Sequence, residues 1–152
     1  MDEQMSEIVQ FLEGVGADAA GRTITTVLAL SVSELEGRHD FIQWLFPLAE
    51  ASSAVPGSPV LTSNDIEIIR ASGRAQANLA QGAERMGLFY DQTDRWMRSS
   101  DHNHLRITRI IKSLRLLSGD RPADRFRSRV LARVEATRAP VSATSLGYWV
   151  KA

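Results

Sequence analysis

The stretch Leu35 to Leu48, LEGRHDFIQWLFPL, constrains this chain more than any other. It carries Phe41, Trp44 and Phe46 beside Leu35, Ile42, Leu45 and Leu48, with a stopping proline at Pro47. So much apolar surface has to leave water, since each large side chain contributes roughly 1.5–3 kcal/mol when buried. Ser33-x-x-Glu36 has the form of a capping box. It predicts one helix from there to Phe46, with Leu35, His39, Ile42 and Phe46 on one face. Pro47 ends it, because the residue before a proline is pushed out of the helical region. On that face His39 is expected to be a satisfied, buried histidine. Adjacent helical residues point about 100° apart, so His39 and Asp40 do not form an acid–base dyad. Asp40 and Gln43 look toward a shared polar partner, with an arginine of a later helix expected in that place.

The rest of the chain also reads as helices divided by Gly, Pro and polar runs. Met5, Ile8, Val9, Phe11 and Leu12 keep helical spacing behind a cap at Ser6 or Asp2, and Gly14 and Gly16 end that helix. Asp18 is the expected cap of a second helix through Ile24, Val27, Leu28 and Leu30. Residues 51–62, ASSAVPGSPVLT, form an extended loop with Val55, Val60 and Leu61 expected on the core. Asn64-x-x-Glu67 caps a long helix to about Tyr90, with a break allowed near Ser72-Gly73. Residues 91–104 are a polar connection holding Trp96. Leu105–Leu117 follows as the clearest amphipathic helix, its stripe Ile107, Ile110, Ile111, Leu114 and Leu117. Asp120-Arg121-Pro122 opens another by the cap-then-proline rule, and Ser142–Trp149 forms a short last one. No alternating strand pattern occurs. The expectation is an all-α, single-domain bundle over residues 1–152, with about seven helices and no sheet.

Function classes narrow by exclusion. With no cysteine, disulfides, Cys-based zinc sites and thiol catalysis are ruled out. The acidic start MDEQMSEI lacks a secretory n-region, and no apolar run reaches the ~18 residues of a membrane span, so a cytoplasmic location is expected. There is no Walker loop, G-x-S-x-G, zincin helix or dinucleotide fingerprint. The reading is therefore non-enzymatic, with no catalytic residues and no cofactor. Net charge is zero but uneven: residues 1–90 hold 12 acids and 5 bases, residues 91–152 hold 6 acids and 13 bases. Internal docking of the two halves is the plain reading, and a basic face for an anion or nucleic acid the sharper one.

Two polar clusters invite chemistry. Asp101, His102 and His104 raise a metal site, but an H-x-H spacing without a third ligand fits better the N-cap region of the following helix, so no metal is expected. Arg106, Arg109, Lys112 and Arg115, with Thr108 between the first two, form the best anion-binding row. Internal salt bridges to Asp40, Glu36 or Asp65 would satisfy the same arginines. That helix lacks the interleaved aromatics of a nucleic-acid stacking platform.

FLEGVGADAAGRTI (11–24), LEGRHDFIQWLFPL (35–48), VPGSPVLT (55–62), HNHLRITRIIKSLRLL (102–117) and LGYW (146–149) follow in an order that resembles the conserved region of the opioid growth factor receptor family. The Arg- and Ala-rich composition resembles its short bacterial members. The resemblance implies a receptor-like role, since the animal receptor is associated with binding an enkephalin peptide and restraining proliferation. It carries over no catalytic residue. What it carries over are the motif positions His39, Asp40, Gln43 and Trp44, with Asn103, Arg106, Thr108, Arg109, Lys112 and Ser113. The expectation is a polar cleft between the two motifs, acidic on one wall and cationic on the other. It would take a peptide, a small anionic ligand or a protein partner, with a nucleic-acid-associated role through the basic C-terminal half as the alternative.

Overall fold

The computed structural model describes residues 5–152. Among them are nine helices: α1 Glu7–Glu13, α2 Ile24–Leu28, α3 Val32–Gly37, α4 Ile42–Leu45, α5 Ser63–Ala71, α6 Gly73–Gln92, α7 His102–Leu117, α8 Asp120–Thr137 and α9 Ala143–Lys151. No strand forms among these residues; extended pairing is limited to isolated bridges, Ala17 with Thr23 and Leu48 with Val60. The all-α expectation agrees, and the count rises from seven to nine because two long helices are each broken. Ser72 is extended and separates α5 from α6, at the place the Ser72-Gly73 pair marked. The other break divides the 33–46 segment. The chain clusters into two compact units, one up to Gly82 and one over Ala83–Ala152.

In the first unit α1 packs on α4 and α5. Phe11 meets Trp44 edge-on with ring centroids 5.6 Å apart, a preferred aromatic geometry. Two polar ties fix α1. Ser6, its N-cap, donates from Oγ to Asp65 Oδ1 at 2.7 Å, and Asn78 Nδ2 donates to the carbonyl of Leu12 at 2.7 Å. The alternative cap Asp2 lies outside the described residues. Gly82 brings α6 close to α4: a Cβ there would lie 3.0 Å from Leu45 Cδ1.

Several caps differ from expectation. The capping boxes are Ser31 with Glu34 and Thr62 with Asp65, each two residues before the pair expected. Thr23 caps α2. Asp18 instead closes its own turn, its Oδ1 accepting from the backbone N–H of Ala20 and Arg22. α8 begins at Asp120 itself, with Gly119 as its N-cap. Leu61 is buried, but Val55 is half-buried and Val60 points out at 45% exposure.

Because α3 ends at Gly37 and Arg38 is extended, the residues after it leave the helix before α4 begins at Ile42. His39 and Asp40 are exposed, not on a buried helical face. Asp40 pairs at 2.9 Å with Arg22, which also pairs with the buried Asp18 at 2.8 Å. An arginine of the first unit thus holds the carboxylate for which a later helix was expected. Burial alone would lower the Arg22 pKa, but the hydrogen bonds it donates to Asp40 and Asp18, and their charges, outweigh it and raise it. The cationic form is stabilised further.

In the second unit α7 packs on α8 and α9. Trp96 and Trp149 are fully buried at its centre, 6.4 Å apart, and Tyr90 meets Trp96 edge-on at 5.4 Å. Trp96 Nε1 donates to the carbonyls of Tyr90 and Thr93, which satisfies the one polar atom of its ring. Guanidinium groups close the end of α9: Arg115 Nε donates to the Ala152 carbonyl and Arg127 Nη1 to that of Val150. Cations at a helix C-terminus are favoured by the axial dipole.

Candidate functional site

Asp101 sets the start of α7. Its Oδ1 accepts from the backbone N–H and the side-chain amide of Asn103, both at 2.9 Å. Burial raises its pKa, but these two hydrogen bonds, with the nearby charges of His102 and Arg98, outweigh that and hold the carboxyl below the usual aspartate range. Asn103, fully buried, also accepts from the Tyr90 hydroxyl at 3.2 Å and from Arg106 Nη1 at 3.5 Å. The first turn of α7 is therefore rigid and polar inside, as an Asp–x–Asn start requires.

One turn of polar chemistry lies beside it. His104, 5% exposed, reaches the carbonyl of Trp96 from Nε2 at 2.7 Å and Ser145 Oγ from Nδ1 at 2.8 Å. A carbonyl can only accept, so Nε2 carries the proton; in the neutral ring Nδ1 is then a bare acceptor and Ser145 donates its hydroxyl proton to it. Ser142, the N-cap of α9, donates to Ser145 Oγ at 3.2 Å and accepts from the Ser145 backbone N–H. The His104 carbonyl accepts from Trp149 Nε1 and from Thr108 Oγ1, both at 3.1 Å, and the His104 ring stands edge-on to Trp149 at 5.3 Å. One residue thus ties the 93–101 connection, α7 and α9 together.

A surface cavity of about 320 Å³ opens on this knot. It is lined by residues 100–102, by His104, Leu105 and Thr108 of α7, and by Ser145 and Tyr148 of α9. Leu105 is 72% exposed and Tyr148 58%. The volume sits at the lower end of the range of small-ligand sites.

The positions singled out in sequence fall in both units. His39, Asp40, Gln43 and Trp44 belong to the first, Asn103, Arg106, Thr108, Arg109, Lys112 and Ser113 to the second. Trp44, Asn103, Arg106 and Ser113 are buried and serve packing or internal hydrogen bonding; Arg109 is half-buried and Lys112 exposed. Gln43 is 6% exposed and its Oε1 has no hydrogen-bond partner among the described residues. Of the anion-binding row, Arg115 is taken by Asp120 and Asp124, both at 2.8 Å. Arg129 is likewise taken by Glu84 at 2.9 Å and Asp91 at 2.7 Å. Of the expected positions only Thr108 lines the cavity. Asp101, His102 and His104, also in the lining, were raised in sequence only as a metal cluster and read as an N-cap region; Ser100, Leu105, Ser145 and Tyr148 were not singled out, although Ser142-x-x-Ser145 is a visible polar mark at a helix start.

The described residues are a helical fold with a small surface cavity beside the start of α7, and no described helix is long and apolar enough to cross a membrane. Residues 18–152 match the opioid growth factor receptor (OGFr) conserved region, and the chain belongs to that family. It is 35% identical to the human opioid growth factor receptor over 101 residues, which cover 53% of this chain and 14% of the receptor. Mouse opioid growth factor receptor-like protein 1 is 31% identical over 140 residues, 77% of this chain and 29% of that protein. The chain thus spans less than a third of the length of these relatives. No solved structure matches it.

Proposed function

We propose that this chain is a receptor-like binding module that takes a peptide or protein partner on the α7–α9 face, with the cavity as the pocket for one side chain or a small anionic group. Leu105 and Tyr148 carry this reading. Both line the cavity and stand largely in water, and a partner covering them would gain roughly 25 cal/mol per Å² of apolar area removed from water. The relatives are named receptors, which supports partner binding in general and names no ligand for this chain. The reading needs no turnover and no cofactor. Internal pairing of Arg115, Arg127 and Arg129 with Asp and Glu leaves less charge for nucleic acid than the sequence balance indicates.

Amide shift mapping with a set of zwitterionic tetra- and pentapeptides tests it. The expected result is saturable shifts at Ser100, Leu105, Thr108 and Tyr148, lost in a Leu105→Asp variant that keeps its fold. Shifts confined to residues 39–44 would move the site to the first unit and overturn this placement.

A further inference from the structure

Beyond binding, and in the same cavity, we infer that Ser145 is an activated nucleophile, able to take an acyl group from an activated ester, with His104 as its base. Three observations carry this. The hydroxyl proton of Ser145 has a defined acceptor, the bare Nδ1 at 2.8 Å, because Nε2 is committed to the Trp96 carbonyl. That carbonyl does for the ring what an orienting acceptor does in nucleophile–base–orienter sites: it fixes the tautomer and rotation of the base. Ser145 also lines the cavity, so a reagent reaches a hydroxyl whose partner is buried. A serine that only capped a helix would donate to a backbone carbonyl or to water; here the cap is Ser142, and Ser145 is left to the imidazole.

The step balances as follows. Ser145 Oγ attacks the acyl carbonyl carbon while its proton passes to His104 Nδ1. The Oγ–C bond forms, the bond from carbon to the alcohol or phenol leaving group breaks, and the proton goes from His104 to the leaving oxygen. Ser145 ends as an ester and His104 as the neutral ring. The proposal stops at this acyl-serine. Oxyanion charge develops beside the first turn of α9, the positive end of that helix. Leu105 and Tyr148 in the lining fit an apolar acyl or aryl group, and about 320 Å³ admits a small one.

The probe is an alkyl fluorophosphonate, which reports the same nucleophile: an Oγ–P bond forms, P–F breaks and fluoride leaves. Intact mass after incubation should show one added group, and peptide mapping should place it on Ser145. A positioned base is worth on the order of 10²-fold or more, so labelling there should exceed that at Ser100, on the same cavity, by about that factor. Ser145→Ala should remove the adduct and Ser128→Ala, exposed on α8 and outside the cavity lining, should keep it, with the near-ultraviolet signal of Trp149 certifying the fold. His104→Gln, checked in the same way, should slow labelling by a similar factor. No adduct on the native chain, or an adduct spread equally over surface serines, would overturn the proposal. Should Ser145→Ala fail to fold, the mapped position on the native chain decides alone. Failure here leaves the peptide-binding reading standing, since shift mapping does not depend on reactivity.

Discussion

Asp101 shows how one residue sets both a helix start and a pH response. Its carboxyl is held below the ordinary aspartate value of about 3.9, so the unfolded chain binds that proton at higher pH than the native one. Its contribution to stability is present above about pH 4 and is lost as pH falls through the depressed native value. Urea midpoints measured from pH 6 down to pH 2.5 should therefore fall less steeply for Asp101→Asn than for the native chain. Equal slopes would contradict the assignment. His104→Phe removes the N–H that the Trp96 carbonyl accepts and the acceptor of the Ser145 hydroxyl proton. Such losses cost about 1–3 kcal/mol per stranded group, and a denaturation midpoint shift should register them. His102 sits two residues away, exposed, 3.7 Å from Asp101.

At the scale of the element, glycines in α6 have opposite consequences. Gly82→Ala places a methyl 3.0 Å from a buried Leu45 Cδ1 and 3.1 Å from its Cγ. Overpacking of this kind costs about 1–3 kcal/mol and exceeds the gain of roughly 1 kcal/mol in helix propensity. Thermal unfolding should drop. At Gly87 the added carbon meets the Arg129 guanidinium, Nη1 at 2.5 Å and Cζ at 2.8 Å, a long side chain able to swing away. What it gives up are partly exposed ion pairs to Glu84 and Asp91, each worth about 0–1 kcal/mol. Gly87→Ala should be near neutral in the native chain. In an Arg129→Ala background it should stabilise by about 1 kcal/mol, and a midpoint comparison of the four proteins measures the coupling.

The element scale is also where sequence reading succeeds and fails for physical reasons. The long amphipathic stripe of α7 was legible because five apolar residues repeat at helical spacing, and the Ser72-Gly73 break because glycine and serine weaken a helix interior. The run SVSELE contains two S-x-x-E boxes two residues apart, and apolar phase does not choose between them. Choosing the later one extended the helix through His39 and buried a residue that is exposed. The same ambiguity in TSNDIE shifted the start of α5. Arg106 looked like a surface cation but is 6% exposed beside Asn103; local spacing carries no information about which polar residues pair inside. Ser145 was hidden for a further reason. Its partner His104 lies 41 positions away, a distance only the fold closes.

For the whole molecule, the charge balance is less an external surface than internal bonding. The excess of bases after residue 90 is spent in part on Asp120, Asp124, Asp91 and Glu84 within the same unit. Binding to a labelled DNA duplex should therefore be weak at 0.15 M salt and show a shallow salt slope, against the steep dependence of proteins that neutralise many phosphates. Fluorescence anisotropy across a salt series measures that slope. The face we propose for binding is the one around the α7 and α9 starts, where His104 holds the 93–101 connection, α7 and α9 together. The most direct measurement is a long-range ¹H–¹⁵N spectrum of the imidazole nitrogens at neutral pH. The account predicts His104 as the Nε2-protonated tautomer, with Nδ1 unprotonated and the Nε2 proton slow to exchange. A proton on Nδ1 with Nε2 bare, or a ring averaging between the two tautomers, would contradict it.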